Sequence, residues 1–182
     1  LFPMAYESAE LAKIAINCCL VSSVSTANML AELCEKMGAN WLDIIPTLKA
    51  DKRIGQYSYL SPGLGISGGN LERDLNTIIH MADAHGTDSG VVRAWVSNSR
   101  YRKDWPLRML HEHVLSHHEK PTIAVLGMTY KENPHSVKNS PSVQLIRALQ
   151  DYTIQAYDPA ISADPSWHPT IRNTTSVQEA VS

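Results

Sequence analysis

Basic residues are not in excess in this chain: 16 lysines and arginines stand against 18 aspartates and glutamates, a formal net charge of −2. A surface that neutralises phosphates along a nucleic acid needs a cationic surplus, so nucleic acid is excluded as the expected partner. The densest basic group, "RYRKDWPLR" from Arg100 to Arg108, reads as a solvated helix face. Cysteine is scarce. Cys18, Cys19 and Cys34 cannot all pair internally, and no CxxC or mixed His/Cys ligand spacing accompanies them. The expectation is buried thiols in a reducing compartment and no metal. The histidine-rich "HEHVLSHH" lacks the HExxH spacing and reads as a wet helix end. No signal peptide and no apolar run of about 18 residues stands out, which predicts a cytoplasmic protein with no membrane partner.

What is present is an ordinary globular composition, 43% hydrophobic and 19% charged over 182 residues. That suffices for one domain or two small ones. The chain enters a long helix almost at once: apolar residues run from Leu11 through Leu33, and Gly38 supplies a stop. The apolar positions occupy more than one face, the pattern of a helix buried on two sides, for example between two subunits. On one stripe Glu10, Lys13, Asn17 and Asn28 fall together. A solvent-facing edge and a polar wall lining a site explain that stripe equally well.

"NWLDIIPTLKADKRIG" reads as a short helix breaking into a loop at Gly55. The next stretch, "SPGLGISGGNLERDL", packs four glycines into seven residues, a composition that carries backbone close to a ligand. Amphipathic "LERDLNTIIHMADAHG" follows and ends on Gly86. A further helical segment from Asp88 to Lys120 is kinked or divided at Pro106. Composition then shifts. "PTIAVLGMTY" suits a buried parallel strand, Ser140 and Pro141 open a helix as N-cap and first residue, and "YTIQAYDP" is a second strand. Together these form a βαβ unit, and "TTSVQEAVS" begins another helix. A lone βαβ unit leaves an open sheet, so the sequence reads as a fragment cut before its last domain is finished.

Four motifs in order, "SAELAKIAIN", "DKRIG", "YLSPGLGISGGNLERD" and "GMTYKENPHSVKNSP", resemble those of the UDP-glucose/GDP-mannose dehydrogenase family of nucleotide-sugar dehydrogenases. The spacing around the glycine loop is most similar to the GDP-mannose branch. The resemblance implies mixed α and α/β architecture. An all-helical dimerisation domain with a long central helix, residues 1–118, would precede a partial Rossmann-like βαβ domain for the UDP- or GDP-sugar, residues 119–182. The family's N-terminal NAD-binding domain would be missing. "GLGISG" is not followed by a helix as a dinucleotide turn requires. The implied activity is NAD-dependent oxidation of C6 of a nucleotide sugar in polysaccharide biosynthesis, by a homodimer joined through the long helix. The fragment alone would be inactive.

The family's second oxidation uses a cysteine in the glycine loop, which forms a thiohemiacetal and then a thioester. Aligned without gaps, that position is Asn70, and an amide is no nucleophile. Arg73 stands where the family usually has lysine, and Asp74 keeps the acid. By the same resemblance Lys13 and Asn17 line the reacting end of the sugar, Arg53 reaches the neighbouring subunit's nucleotide, and Tyr59, Leu60 and Gly63 cover the nucleotide. Lys131 lies near the sugar and pyrophosphate, and Asn98 matches a family asparagine. Pro134, His135, Ser136 and Lys138 depart from the family's usual residues. Three readings follow: an oxidoreductase altered at its second step, a catalytically inactive family member that dimerises and binds a sugar nucleotide, and a helical scaffold with vestigial contacts.

Overall fold

The computed structural model describes residues 1–130 and 135–182. Two compact units emerge: Leu1–Ile66 with Asn70–Arg102, and Ser67–Gly69 with Lys103–Ser182.

The first unit is helical. α1 spans Tyr6–Met37, 32 residues, with Glu7 in its first turn and Lys36 in its last, both favourable to the helix dipole. At about 1.5 Å per residue it is roughly 48 Å long. It stops at Gly38, whose φ of 71° is cheap only without a Cβ and whose N–H donates to the Cys34 carbonyl. α2 (Trp41–Ala50) is capped by the Asn40 side chain, which accepts from the Leu42 N–H. α3 (Asn70–His85) and α4 (Gly90–Lys103) complete the unit. Val21, Ile66, Leu75 and Val92 form one core cluster, and Ala27, Ala31, Cys34, Trp41 and Leu60 another.

α1 corrects two expectations. By length and composition alone it is apolar enough to cross a membrane, with an 18-residue window of mean hydropathy 1.5. Interspersed serines and asparagines hid that run from a reading of consecutive residues. Only 22% of that window is buried, and the helix's buried positions are Val21, Ser25, Ala27, Asn28, Ala31 and Cys34. Of the three thiols, only Cys34 is buried; Cys18 is half-buried and Cys19 exposed. Adjacent helical residues point about 100° apart, so Cys18 and Cys19 could not share one environment.

The second unit holds α5 (Trp105–Leu110), a π-helical turn (His111–Leu115), β1 (Thr122–Leu126), α6 (Pro141–Ala148), β2 (Thr153–Tyr157), a short 3₁₀ turn (Pro165–Trp167), β3 (Ile171–Asn173) and α7 (Val177–Ala180). The strands form a parallel sheet in the order β1-β2-β3, with Ile123 opposite Ile154 and Ile154 opposite Ile171. Ile123, Val125, Met128, Ile146, Leu149, Ile154 and Ala156 make its core. Pro106 divides the predicted helical segment by starting α5. Leu107, Leu110 and Leu115 then pack on the sheet's core. The compact units part at Arg102/Lys103. The predicted cap holds: Ser140 accepts from the Val143 N–H, with Pro141 as first residue. β3 was missed, since a three-residue strand with two exposed positions carries no alternation to detect. The buried His168 is structural: Nε2 lies 2.7 Å from the Leu149 carbonyl and Nδ1 accepts from the Thr170 N–H.

Candidate functional site

α1 and α3 pack together in the first unit, and each presents a pair of polar residues one turn apart. Asn17 Nδ2 donates to Asp74 Oδ2 at 2.7 Å. Asp74 is only 6% exposed. Its other oxygen takes the Arg73 guanidinium at 3.3 Å, and the Arg73 side chain is itself 61% exposed. Asp74 is thus a buried carboxyl with both oxygens in hydrogen bonds, one to an amide and one to a guanidinium. Lys13 lies one turn before Asn17 on α1 and is exposed. Asn70 is the first residue of α3, one turn before Asp74, and is also exposed. A spacing of four residues puts each pair on one helix face. The structure thus joins Asn17 to Asp74 directly and sets Lys13 and Asn70 on the adjoining turns.

Cys18 packs beside this pair, against the cluster of Val21, Ile66 and Leu75. Burial pushes its thiol up, and the neighbouring Cys19 and Asp74 add to the effect. The thiolate is the nucleophilic form, so Cys18 is held in its unreactive state. Its closeness to Asp74, 56 positions away in the chain, had no signal in the sequence.

The glycine loop is tied to the helices by side chains. Trp41 Nε1 donates to the Leu60 carbonyl at 2.9 Å. The Gly63 N–H donates to Asn28 Oδ1 at 2.7 Å, and Arg102 Nε donates to the Gly63 carbonyl at 3.0 Å. The Ile66 N–H donates to Ser99 Oγ at 2.7 Å. Tyr59 is 59% exposed, whereas Leu60 is buried. The sequence placed Asn28 on the polar stripe but passed over Ser99 and Arg102; a buried arginine is recognisable only once its surroundings are known. Arg53 is 89% exposed and forks onto Asp51, Nε to Oδ1 at 3.0 Å and Nη2 to Oδ2 at 2.6 Å. That fork holds the Asp51 carboxyl below the usual carboxylate range. Asn98 borders a groove of about 600 Å³ together with Ser25, Met29, Trp95 and Tyr101. Its Oδ1 is buried without a hydrogen-bond partner.

In the second unit, Ser67–Gly69 runs against the segment before α6. The Gly68 N–H donates to the Lys138 carbonyl at 3.2 Å, and Asn139 Nδ2 donates to the Gly68 carbonyl at 2.7 Å. Gly68 has φ 76°, and a Cβ there would lie 2.9 Å from the Tyr130 ring. A Cβ on Gly69 would lie 2.9 Å from Lys138 Nζ. Lys131, read from the sequence as a substrate contact, falls outside the described residues.

At the carboxyl edge of the sheet, Asp158 organises two loops. Oδ2 accepts from the Met128 and Thr129 N–H groups at 2.6 and 3.0 Å, and Oδ1 from Ala160 and Ile161 at 2.8 and 3.3 Å. Burial pushes its carboxyl up, but the combined hydrogen bonds outweigh burial and hold it below the ordinary range. A lowered carboxyl stabilises the fold fully above its unfolded value of about 3.9, and this contribution is lost as pH falls through the lower folded value. Asp158→Asn, which turns an acceptor into a donor facing N–H groups, is expected to cost about 2 kcal/mol at pH 7. The deficit should shrink toward pH 3, as urea midpoints at both pH values will show; a deficit independent of pH would refute the charged role.

Two family models match the chain. Residues 7–100 match the central domain of the UDP-glucose/GDP-mannose dehydrogenase family, and residues 124–182 match its UDP binding domain. The chain belongs to the UDP-glucose/GDP-mannose dehydrogenase family. Among relatives, the UDP-glucose 6-dehydrogenase of Rickettsia felis is 29% identical over 84% of this chain and 34% of its own length. That of Rhizobium meliloti is 32% identical over 84% of this chain and 35% of its own. The chain thus spans about a third of the length of these dehydrogenases. In fold, the UDP-glucose dehydrogenase of Pyrobaculum islandicum superposes with a TM-score of 0.85 at 24% identity, covering 98% of this chain and 42% of that one. A GDP-mannose dehydrogenase from Pseudomonas aeruginosa gives 0.57 at 16% identity, covering 96% and 42%. The fold is more similar to that of the Pyrobaculum protein than to that of the Pseudomonas one.

Proposed function

We propose that this chain is the sugar-holding part of an NAD-dependent nucleotide-sugar 6-dehydrogenase whose second oxidation is altered. The observation that carries the reading is the Asn17–Asp74 hydrogen bond, with Asn70 in place of a thiol one turn before Asp74. Asp74 is assigned to take the proton of a C6 hydroxyl, and Lys13 to stabilise the developing oxyanion. Asn70 offers a donor and an acceptor to the hydrate but no covalent attachment. Arg53, Tyr59, Leu60, Gly63 and Lys131 are assigned to the nucleotide sugar. The cofactor supplies the hydride acceptor. The described residues do not form its dinucleotide turn, because the glycines of the 61–69 loop follow no strand. We assign NAD to a preceding domain outside these residues, and expect the present chain alone to be inactive.

The homodimer is part of the same reading. Ile16, Leu20, Met29, Leu33 and Met37 on α1 are 62%, 42%, 54%, 50% and 73% exposed, an apolar face that a second copy would cover. We place the enzyme in the cytoplasm. The test is a full-length assay with NAD and a panel of UDP- and GDP-sugars. About one NADH per sugar consumed is expected, with an aldehyde or its hydrate as product. A second reading, a family member that binds but does not oxidise, rests on Asn70 itself. Sugar binding with no NADH from any substrate would establish it over the first.

A further inference from the structure

We infer that Asn28 and Arg102 are positioning residues that fix the backbone of Gly63, so that the covering loop is pre-shaped before a sugar nucleotide arrives. The inference rests on the nucleotide-sugar reading above and adds residues to which that reading gives no part.

A loop with glycines at 63, 65, 68 and 69 has more freedom to lose on ordering than a glycine-poor loop of its length. If binding had to order it, affinity would fall by that amount. The fold removes this cost in advance. Asn28 is 2% exposed, and its Oδ1 takes the Gly63 N–H at 2.7 Å. Arg102 is 5% exposed, and its Nε reaches the Gly63 carbonyl at 3.0 Å. Glu32, one turn beyond Asn28 on α1, takes Arg102 Nη1 at 3.2 Å and so holds the guanidinium itself. Ser99 repeats the device three residues further along the loop, accepting the Ile66 N–H at 2.7 Å.

Burying an amide and a guanidinium is costly unless every such group is used. Here both are used on the main chain of one loop glycine. Gly63 consequently acts on a ligand by shape: its single N–H is already spent. Hydrogen bonds to a nucleotide must come from other atoms of the loop.

The test uses the full-length protein and UDP-glucose as probe. Asn28→Leu removes the acceptor at similar volume, and Asn28→Asp keeps it. Calorimetric affinity should fall about tenfold or more in Asn28→Leu and stay within about threefold in Asn28→Asp. Exchange of the Gly63 amide should accelerate in the first variant alone. Unchanged affinity in a folded Asn28→Leu protein would overturn the inference, as would equal losses in both variants that track their melting temperatures. If Asn28→Leu does not fold, Ser99→Ala takes its place, with the Ile66 amide as reporter and the same outcomes. If the unsubstituted protein binds no UDP-glucose or other sugar nucleotide, the functional reading fails instead. The clamp is then decided by exchange: fast Gly63 and Ile66 amides in the unsubstituted protein refute it, and slow ones released by the substitution uphold it.

Discussion

In the full-length enzyme, Asn70→Cys is expected to raise the yield from about one NADH to about two per sugar nucleotide consumed. The first oxidation needs a base for the hydroxyl proton and a place for the hydride; in the proposed function Asp74, held by Asn17, is that base. The second needs the aldehyde carbon to become a hydride donor. A thiolate does this by adding to the carbonyl, so that loss of hydride leaves a thioester and water then releases the acid. Asn70 opens α3, a helix of 16 residues whose N-terminal N–H groups favour a thiolate. The neighbouring Asp74 opposes that charge, but its own is already shared with Arg73 and Asn17. An introduced thiol is therefore placed for chemistry, unlike Cys18, which burial keeps protonated. Two NADH from the unsubstituted enzyme would refute the role given to Asn70. A variant that still stops at one would show that the site lacks more than the nucleophile.

Arg102→Met should destabilise the helical unit by about 3–5 kcal/mol, because it takes the cation from a largely buried carboxylate and leaves it the Tyr101 hydroxyl. The Arg102 and Glu32 side chains are 6% and 17% exposed, so water does little to replace the lost partner. The Gly63 carbonyl loses its donor as well. Urea unfolding of the two single variants and the double variant Glu32→Gln with Arg102→Met measures the coupling. A coupling below about 1 kcal/mol would class the pair with ordinary surface bridges and remove this rationale.

Much of the helical unit was readable in the sequence because its determinants are local. Gly38 ends α1 through a left-handed backbone, Asn40 and Ser140 cap the helices they precede, and Pro106 starts α5. Each is a matter of one residue's allowed conformation or one side chain's reach. The polar stripe was legible as a stripe but not as two devices. Only packing turned Asn17 toward Asp74 and Asn28 toward Gly63. β3 escaped for a similar reason. A short exposed strand is defined by the neighbour it pairs with, and α5 joins the sheet through leucines whose destination a periodic pattern does not name.

The sequence by itself determined the family, through four motifs whose order and residue types survive any folding argument, and it determined that position 70 carries no thiol. Tertiary structure alone decided which carboxylate is buried, which thiol is held protonated and which loop atoms are already spent. Those properties depend on distances between residues dozens of positions apart. Hydrogen bonding and desolvation act on such distances, and linear spacing does not record them.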